Sequence, residues 1–336
     1  MAFTRRQISK KKRPASNMVT FYHDIEQNLD IKADARLCRQ IVKEFLKLET
    51  KYGIPVTYNV VGKFFREQPD LIELILQEGQ EVAFHSYNHQ PDWQPRYYAE
   101  EIAMCRTVSP FPCGYRSPRS EWNRTTVKTL WEQGFLWSAE DDRHKEPYFI
   151  YEGLVRLPIA GDDWPVHTGA LSVDQWVQQF PKLLKMRPYF GIGCHDCVVS
   201  FNPEERLKAW ERILQIAIEN QTLLVSFSEA ADLFRRAATL RARGTDAKRR
   251  NEKAKKLHTS AGKYPTERAY IGTIQNKSLL QSHGRNIPTS AFAFRFPSQR
   301  YDYLITYLLN VGQRFPRPIK SLGKWILSRI SHVKLY

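Results

Sequence analysis

Residues 19–234 alternate short apolar runs with longer stretches whose apolar positions repeat at helical spacing. Short apolar runs bounded by turn residues indicate buried strands, and apolar residues three and four apart indicate amphipathic helices. The predicted strands are Val19–Tyr22, Val56–Val60, Glu81–Phe84, Gly114–Arg116, Phe135–Ser138, Val155–Ile159, Phe190–Cys194 and Thr222–Phe227. The predicted helices are Ala35–Tyr52, Lys63–Glu78, Thr125–Glu132, Val173–Lys185 and Pro203–Asn220. This alternation is typical of α/β folds with a parallel sheet.

About eight strands with interleaved helices favour one α/β barrel over two separate domains. Gly53, Gly79 and Gly134 each fall where a helix is expected to end before the next strand. Periodicity alone leaves two architectures open, a closed barrel and an open doubly wound sheet, because both place helices between parallel strands. We therefore predict an α/β domain over residues 19–234.

Charge divides the 336-residue chain into an acidic body and two basic ends. The net formal charge is +16, yet residues 1–18 carry six basic and no acidic side chains, and residues 235–336 carry 22 basic and four acidic ones. Residues 19–234 consequently have a net charge of −8. We predict a basic N-terminal arm (1–18), a basic linker (235–300) and a basic amphipathic tail (301–336), with the C-terminal extension partly disordered.

The tail has apolar residues, Trp325 among them, on one helical face, which is typical of a helix that lies on a membrane surface. A helix packed against the acidic body is the alternative. Nucleic-acid binding is not favoured, because no known reader motif accompanies the basic residues. The chain has no apolar run of membrane-spanning length, no apolar segment after its basic start, and five irregularly spaced cysteines. These features predict a cytoplasmic protein that can contact the inner face of the membrane.

Polar side chains follow four of the predicted strands, and the carboxyl ends of barrel strands are where functional groups gather. These polar residues are Asp24 and Glu26, His85 and His89, Arg116, and His195. His85 and His89 are four residues apart, so one helical turn would place both imidazoles on one side to share a cation. A carboxylate from Asp24 or Glu26 would complete a site of two histidines and one carboxylate, with positions open for water and substrate.

Each of these residues also has an ordinary structural explanation when it is taken alone. The histidines can be polar loop residues, the acids can cap a turn or a helix, and Arg116 can pair with a surface acid. Cys194 and Cys197 flank His195, but no second cysteine pair at zinc spacing accompanies them. It is the occurrence of four polar strand ends in one domain that indicates a functional site.

The ordered set of motifs resembles the polysaccharide deacetylases of the NodB-homology type, which are metal-dependent carbohydrate esterases. The segment from His85 to His89 (HSYNH) matches the second motif of that family in full, and Arg116–Pro118 and His195 follow in the order of its third and fifth motifs. The resemblance covers about residues 19–234. It implies a distorted (β/α) barrel of the glycoside hydrolase/deacetylase type and removal of an N-acetyl group from an amino sugar in a saccharide or glycan precursor.

The resemblance also implies a cofactor and a role for each site residue. The implied cofactor is a divalent metal ion. Zinc is the preferred candidate, and other first-row ions also suit the site. The metal ligands are Glu26, His85 and His89. The catalytic residues are Asp24 as base, Arg116 as its charge partner, His195 as the acid that protonates the departing amine, and Asp141 or Asp142 as the acidic neighbour of that histidine. Trp93, Trp137 and Trp164 are either a wall for sugar stacking or buried core residues.

This chain departs from the family pattern at three motifs. The first motif usually has adjacent aspartates, whereas Asp24 and Glu26 are two apart, so their roles as base and ligand can also be exchanged. The fourth motif has a competing match at Asp162–Asp163–Trp164, and Arg119 stands where the third motif usually has an aromatic residue.

Two other functional classes are alternatives to the deacetylase. One is a catalytically inactive deacetylase-like module that binds a membrane surface or nucleic acid through its basic ends. The other is another metal hydrolase of the amidase or peptidase kind; the zinc peptidases are not favoured, because Ser86 stands where their His-Glu-x-x-His motif has glutamate.

Overall fold

The computed structural model describes residues 17–29, 31–90 and 94–242. Most of the predicted arm (1–18) and linker (235–300), and the whole predicted tail (301–336), lie outside the described residues. All described residues belong to the first of the two units into which the chain divides. They contain the predicted barrel.

Seven strands of this region close a parallel barrel, and two further strands pair at its edge. The strands are β1 (Met18–Ile25), β2 (Val56–Val60), β3 (Glu81–Phe84), β4 (Gly114–Tyr115), β5 (Trp137–Asp141), β6 (Tyr148–Tyr151), β7 (Leu154–Ile159), β8 (Tyr189–His195) and β9 (Leu223–Leu224). The order around the barrel is β1, β2, β3, β4, β5, β7, β8 and back to β1, with every pair parallel. The predicted barrel is confirmed, and the open doubly wound sheet is excluded.

Helices connect most of the strands in the described part of the chain. They are α1 (Ala35–Tyr52), α2 (Phe64–Glu67), α3 (Pro69–Gln77), α4 (Tyr98–Val108), α5 (Arg124–Glu132), α6 (Trp164–His167), α7 (Val173–Met186), α8 (Asp196–Val199) and α9 (Pro203–Glu219). A further helix covers residues 227–242, so the predicted domain boundary at residue 235 falls within it. None of the helices in the described ranges combines the length and the hydropathy that crossing a bilayer requires.

Side chains of strand β1 alternate between the outer and the inner face of the barrel wall. Val19, Phe21 and Ile25 belong to the large hydrophobic cluster that includes residues of α1 and α9. Tyr22 belongs instead to a second cluster with Trp137 and other strand residues, inside the barrel. Because side chains alternate along a strand, Asp24 lies on the inner side with Tyr22, at the end of the strand.

The register of the barrel places polar residues of neighbouring strands at one level. Asp24 on β1 is paired with Asn59 on β2 and with His195 on β8. Below this level the interior is filled; a Cβ at Gly114 would lie 1.8 Å from the indole ring of Trp137. The polar side chains at this level therefore lie at the carboxyl end of the barrel, above this packed interior, where functional groups gather in such barrels.

Candidate metal centre and active site

The predicted site residues from different strands come together at the carboxyl end of the barrel. Asp24 and His195 lie at the ends of β1 and β8, Glu26 follows β1, and His85 and Arg116 directly follow β3 and β4. All are buried, and His195 has the largest exposed fraction of this group, 6 %. Buried charged groups must find partners, so their contacts indicate which residues work together.

The candidate metal centre consists of Glu26, His85 and His89. Their ligand atoms all lie within 4.8 Å of one another. Oε1 of Glu26 is 2.9 Å from Nε2 of His85 and 3.3 Å from Nε2 of His89. Nδ1 of His85 donates a hydrogen bond to the carbonyl oxygen of Arg116 (3.0 Å), which orients the ring so that Nε2 is the nitrogen that faces the carboxylate. Burial acts to raise the pKa of Glu26, but the two histidines hold it well below its ordinary value.

The segment that carries both histidines is a turn with two left-handed residues, and not the helical turn that the spacing predicted. Ser86 has φ 57° and His89 has φ 53°. Oγ of Ser86 accepts the backbone N–H of His89 (3.0 Å), and the buried carboxylate of Glu101 on α4 accepts the N–H groups of Tyr87 and Asn88 (2.9 and 2.6 Å). The imidazole centroids are nevertheless 5.1 Å apart. Two side-chain acceptors thus hold the turn that brings the rings together.

Asp24 is bound on both of its oxygens. Nε of Arg116 donates to Oδ2 (2.6 Å), and the amide of Asn59 donates to Oδ1 (2.8 Å). Arg116 is itself held by a hydrogen bond from Nη1 to Oγ of Ser120 (2.7 Å). Burial acts to raise the pKa of Asp24, but the charges of Arg116, His85 and His195 together outweigh it and the pKa is lowered, so the carboxylate is ionised at neutral pH. Oδ2 also lies 3.5 Å from Nε2 of His195.

The acidic partner of His195 is Asp163, which corrects the prediction of Asp141 or Asp142. Nδ1 of His195 donates to Oδ1 of Asp163 (2.7 Å), which also accepts the backbone N–H of the histidine (3.0 Å). Burial alone would lower the pKa of His195, but the carboxylate of Asp163 raises it well above its ordinary value. Asp141 is exposed, and Asp142 pairs with His144 instead (2.6 Å). The competing fourth-motif match, Asp162–Asp163–Trp164, is the one that reaches the site.

The three predicted tryptophans occupy different places. The ring of Trp164 is 5.9 Å from that of His195, at the edge of the site. Trp137 is a buried core residue whose Nε1 donates to Oγ of Ser228 (2.9 Å). Trp93 lies outside the described residues. Only Trp164 is therefore placed by the structure where a substrate ring could contact it.

Comparison with protein families and curated proteins finds deacetylases. The family model described as polysaccharide deacetylase matches residues 18–136. A peptidoglycan deacetylase of Helicobacter pylori is 24 % identical over 146 residues, 41 % of this chain and 47 % of that protein. A chitooligosaccharide deacetylase of a Bradyrhizobium species is 28 % identical over 109 residues, 29 % of this chain and 49 % of that protein. The chain spans about half the length of the curated relatives it matches.

Solved structures share the barrel. A Mycobacterium smegmatis protein assigned to the polysaccharide deacetylases superposes with a TM-score of 0.58 at 19 % identity, covering 67 % of this chain and 93 % of that one. Puue allantoinase gives a TM-score of 0.52 at 15 % identity, covering 69 % and 97 %. At these identities the likeness shows the fold alone. The resemblance to polysaccharide deacetylases that the order of the motifs predicted is confirmed by the family match and the curated relatives.

Proposed function

We propose that this chain is a metal-dependent hydrolase that removes the N-acetyl group from an amino sugar in a saccharide or glycan precursor. The observation that carries the proposal is the convergence of Glu26, His85 and His89. Beside them lie two buried proton-transfer pairs, Asp24 with Arg116 and His195 with Asp163. The names of the curated relatives, deacetylases of peptidoglycan and of chitooligosaccharide, support the saccharide class.

The donor set fits a divalent metal ion. Two imidazole nitrogens and one carboxylate oxygen suit zinc and several other first-row ions, and zinc is the ion that we propose. Glu26 would hold it through Oε1, and each histidine through Nε2. When bound, such an ion acts as a Lewis acid on the acetamide carbonyl and makes water a stronger acid.

The remaining residues move protons. Asp24, ionised by its pairing with Arg116, accepts the proton of the water that attacks the acetamide carbon. His195, charged by its pairing with Asp163, donates the proton from Nε2 to the departing amine. The acyl group leaves as acetic acid, which ionises to acetate in solution, and the amino sugar leaves as the free amine. Asp24 then holds a proton that His195 lacks. Their facing atoms are 3.5 Å apart, so that proton can return through one bridging water and restore both groups.

The test is acetate release from chitooligosaccharides by the purified full chain supplied with zinc. We expect acetate and free amine in equal amounts, and their loss together with bound zinc in His85→Ala and Glu26→Ala. His144→Ala is the matched control, because this half-exposed histidine also pairs with an aspartate but lies outside the site. Zinc-loaded wild type that releases no acetate from N-acetylated saccharides would contradict the proposal.

The inactive-module alternative is not favoured, because both proton-transfer pairs are retained beside the candidate metal centre. Membrane contact through residues 301–336 and a cytoplasmic location stay predictions. They concern the part of the chain beyond the described residues, and liposome binding by the full chain and by a variant ending at residue 300 would test the contact.

A further inference from the structure

The turn that carries Glu26 is held by a buried carboxylate with no part in the proposed chemistry. Oδ1 of Asp196 accepts the backbone N–H groups of Glu26 (3.0 Å) and Gln27 (3.1 Å). It also accepts the N–H of Cys197 (2.8 Å). Asp196 has no exposed surface. A carboxylate that accepts several backbone N–H groups fixes the conformation of the chain segments that donate to it.

The turn needs such support because of its backbone conformation. Gln27 has φ 56°, a left-handed conformation that is uncommon for a residue with a side chain. Holding a residue there carries an energetic cost, which the surrounding structure must offset. The side-chain amide of Gln27 exchanges two hydrogen bonds with that of Gln68 (2.8 and 3.0 Å). Asp196 therefore holds the turn through its backbone N–H groups, and Gln68 holds it through the side chain of Gln27.

Glu26 is also the residue at which this chain departs from the usual first motif. It lies beyond the last residue of β1, so the strand ladder does not fix its position. Its Oε1 faces both histidines, while Oε2 is 3.9 Å from Sγ of Cys197, the neighbour of Asp196. Asp196 and Cys197 thus contact both the backbone and the side chain of Glu26.

We propose that Asp196 is a positioning residue for the metal centre. It fixes the Glu26–Gln27 turn so that a glutamate two residues beyond the base can act as a metal ligand. The inference rests on the proposed function only in taking Glu26 as a ligand. Asp196 touches no reacting group and acts through Glu26.

The test is the zinc affinity of the purified full chain, measured without substrate by competition with a chromogenic chelator. Asp196→Ala is expected to weaken zinc binding by about 10- to 100-fold, the range seen when an outer-shell partner of a metal ligand is removed. Asp196→Asn keeps one oxygen acceptor and is expected to recover part of that affinity. Gln68→Ala, which releases only the side chain of Gln27, is expected to have a smaller effect than Asp196→Ala.

The matched control is Glu49→Gln, another fully buried carboxylate, which bonds His23, Tyr58 and Trp210. It is expected to lower the free energy of unfolding and leave zinc affinity unchanged. The proposal is overturned if folded Asp196→Ala binds zinc as tightly as wild type, or if Glu49→Gln weakens zinc binding equally. Because zinc binding is read without substrate, a wild type that binds zinc and releases no acetate overturns the deacetylase function and leaves the role of Asp196 supported.

Discussion

Replacing Asp163 by asparagine is expected to remove the charge that keeps His195 protonated while leaving its geometry in place. The amide oxygen of asparagine can still accept from Nδ1 and from the backbone N–H of His195, as Oδ1 of Asp163 does at 2.7 and 3.0 Å. What is lost is the negative charge beside a buried imidazolium. Burial then favours the neutral imidazole, which has no proton to give to the departing amine.

The size of the effect follows from the burial of the pair. The exposed fractions of Asp163 and His195 are 1 % and 6 %. Removing one partner of a buried ion pair costs about 3–5 kcal/mol. Here this cost destabilises the protonated form of His195. Since 1.36 kcal/mol corresponds to a factor of ten, kcat/KM at pH 7 is expected to fall by about 10²-fold or more. That agrees with the ~10²–10⁴-fold contribution of a general acid.

The raised pKa of His195 determines the direction in which the pH profile should shift. The pKa of His195 is raised in wild type, so the protonated form is present below that pKa and is lost as the pH rises through it. In Asp163→Asn the basic limb of the kcat/KM profile should therefore move to lower pH, and the loss of rate should shrink as the pH falls.

The assay is the pH profile of acetate release by zinc-loaded protein. Asp142→Asn is the control, because Oδ1 of Asp142 lies 2.6 Å from Nδ1 of His144 in a pair outside the site, and it should keep the wild-type profile. The reasoning is refuted if Asp163→Asn keeps both the wild-type rate and the wild-type basic limb, or if Asp142→Asn shows the shift instead.

Three further substitutions test other parts of the structure. Arg116→Gln removes the charge that lowers the pKa of Asp24; because the carboxylate is present only above its pKa, the acid limb of the pH profile should move to higher pH. Glu49→Ala leaves three buried donors without their acceptor and should lower the free energy of unfolding in urea by about 3 kcal/mol or more, at ~1–3 kcal/mol for each. Trp164→Ala removes the ring beside His195 and should raise KM for oligosaccharides more than it lowers kcat.

Much of the fold could be predicted because its signals are local. Helix α1 ends as predicted because Gly53 adopts the left-handed conformation of a helix end (φ 63°). The predicted helix over Lys63–Glu78 is two helices, α2 and α3, since Pro69 disfavours a helical conformation at Gln68 (φ −138°). Helix α4 and strand β6 were missed; β6 is four apolar residues without polar alternation, a run that suits a strand or a helix equally.

The eighth predicted strand is much shorter in the structure, and local sequence signals do not predict why. The segment Thr222–Phe227 contributes only the two residues of β9, which pair with Met18 and Val19 of β1. The pairing of β1 with β2 begins at Phe21, and β8 takes the other edge of β1. No edge is left for a longer strand, so the barrel closes with seven. Which segments compete for an edge is a property of the assembled sheet.

The same dependence on the assembled barrel separates the site residues that could be predicted from those that could not. Aspartates follow both β5 and β7, and sequence spacing does not decide which of them reaches His195. The strand order decides it: β7 is the neighbour of β8, which carries His195, whereas β5 is one strand further away. Glu101 was missed for a related reason, since it lies on α4 and reaches the histidine turn only through the tertiary fold.

The contacts of Asp24 and Glu26 support the roles proposed for them as base and metal ligand, which the sequence left open. Each oxygen of Asp24 already accepts a hydrogen bond, one from Arg116 and one from Asn59, so a metal ion at Asp24 would compete with two buried donors. Oε1 of Glu26 faces both histidines and accepts no bond from a lysine or arginine in the part of the chain that the structure describes. The contacts therefore favour Asp24 as the base and Glu26 as the ligand. Exchanging the roles would leave the charge of Arg116 buried without its closest partner, which makes the exchange the costlier arrangement.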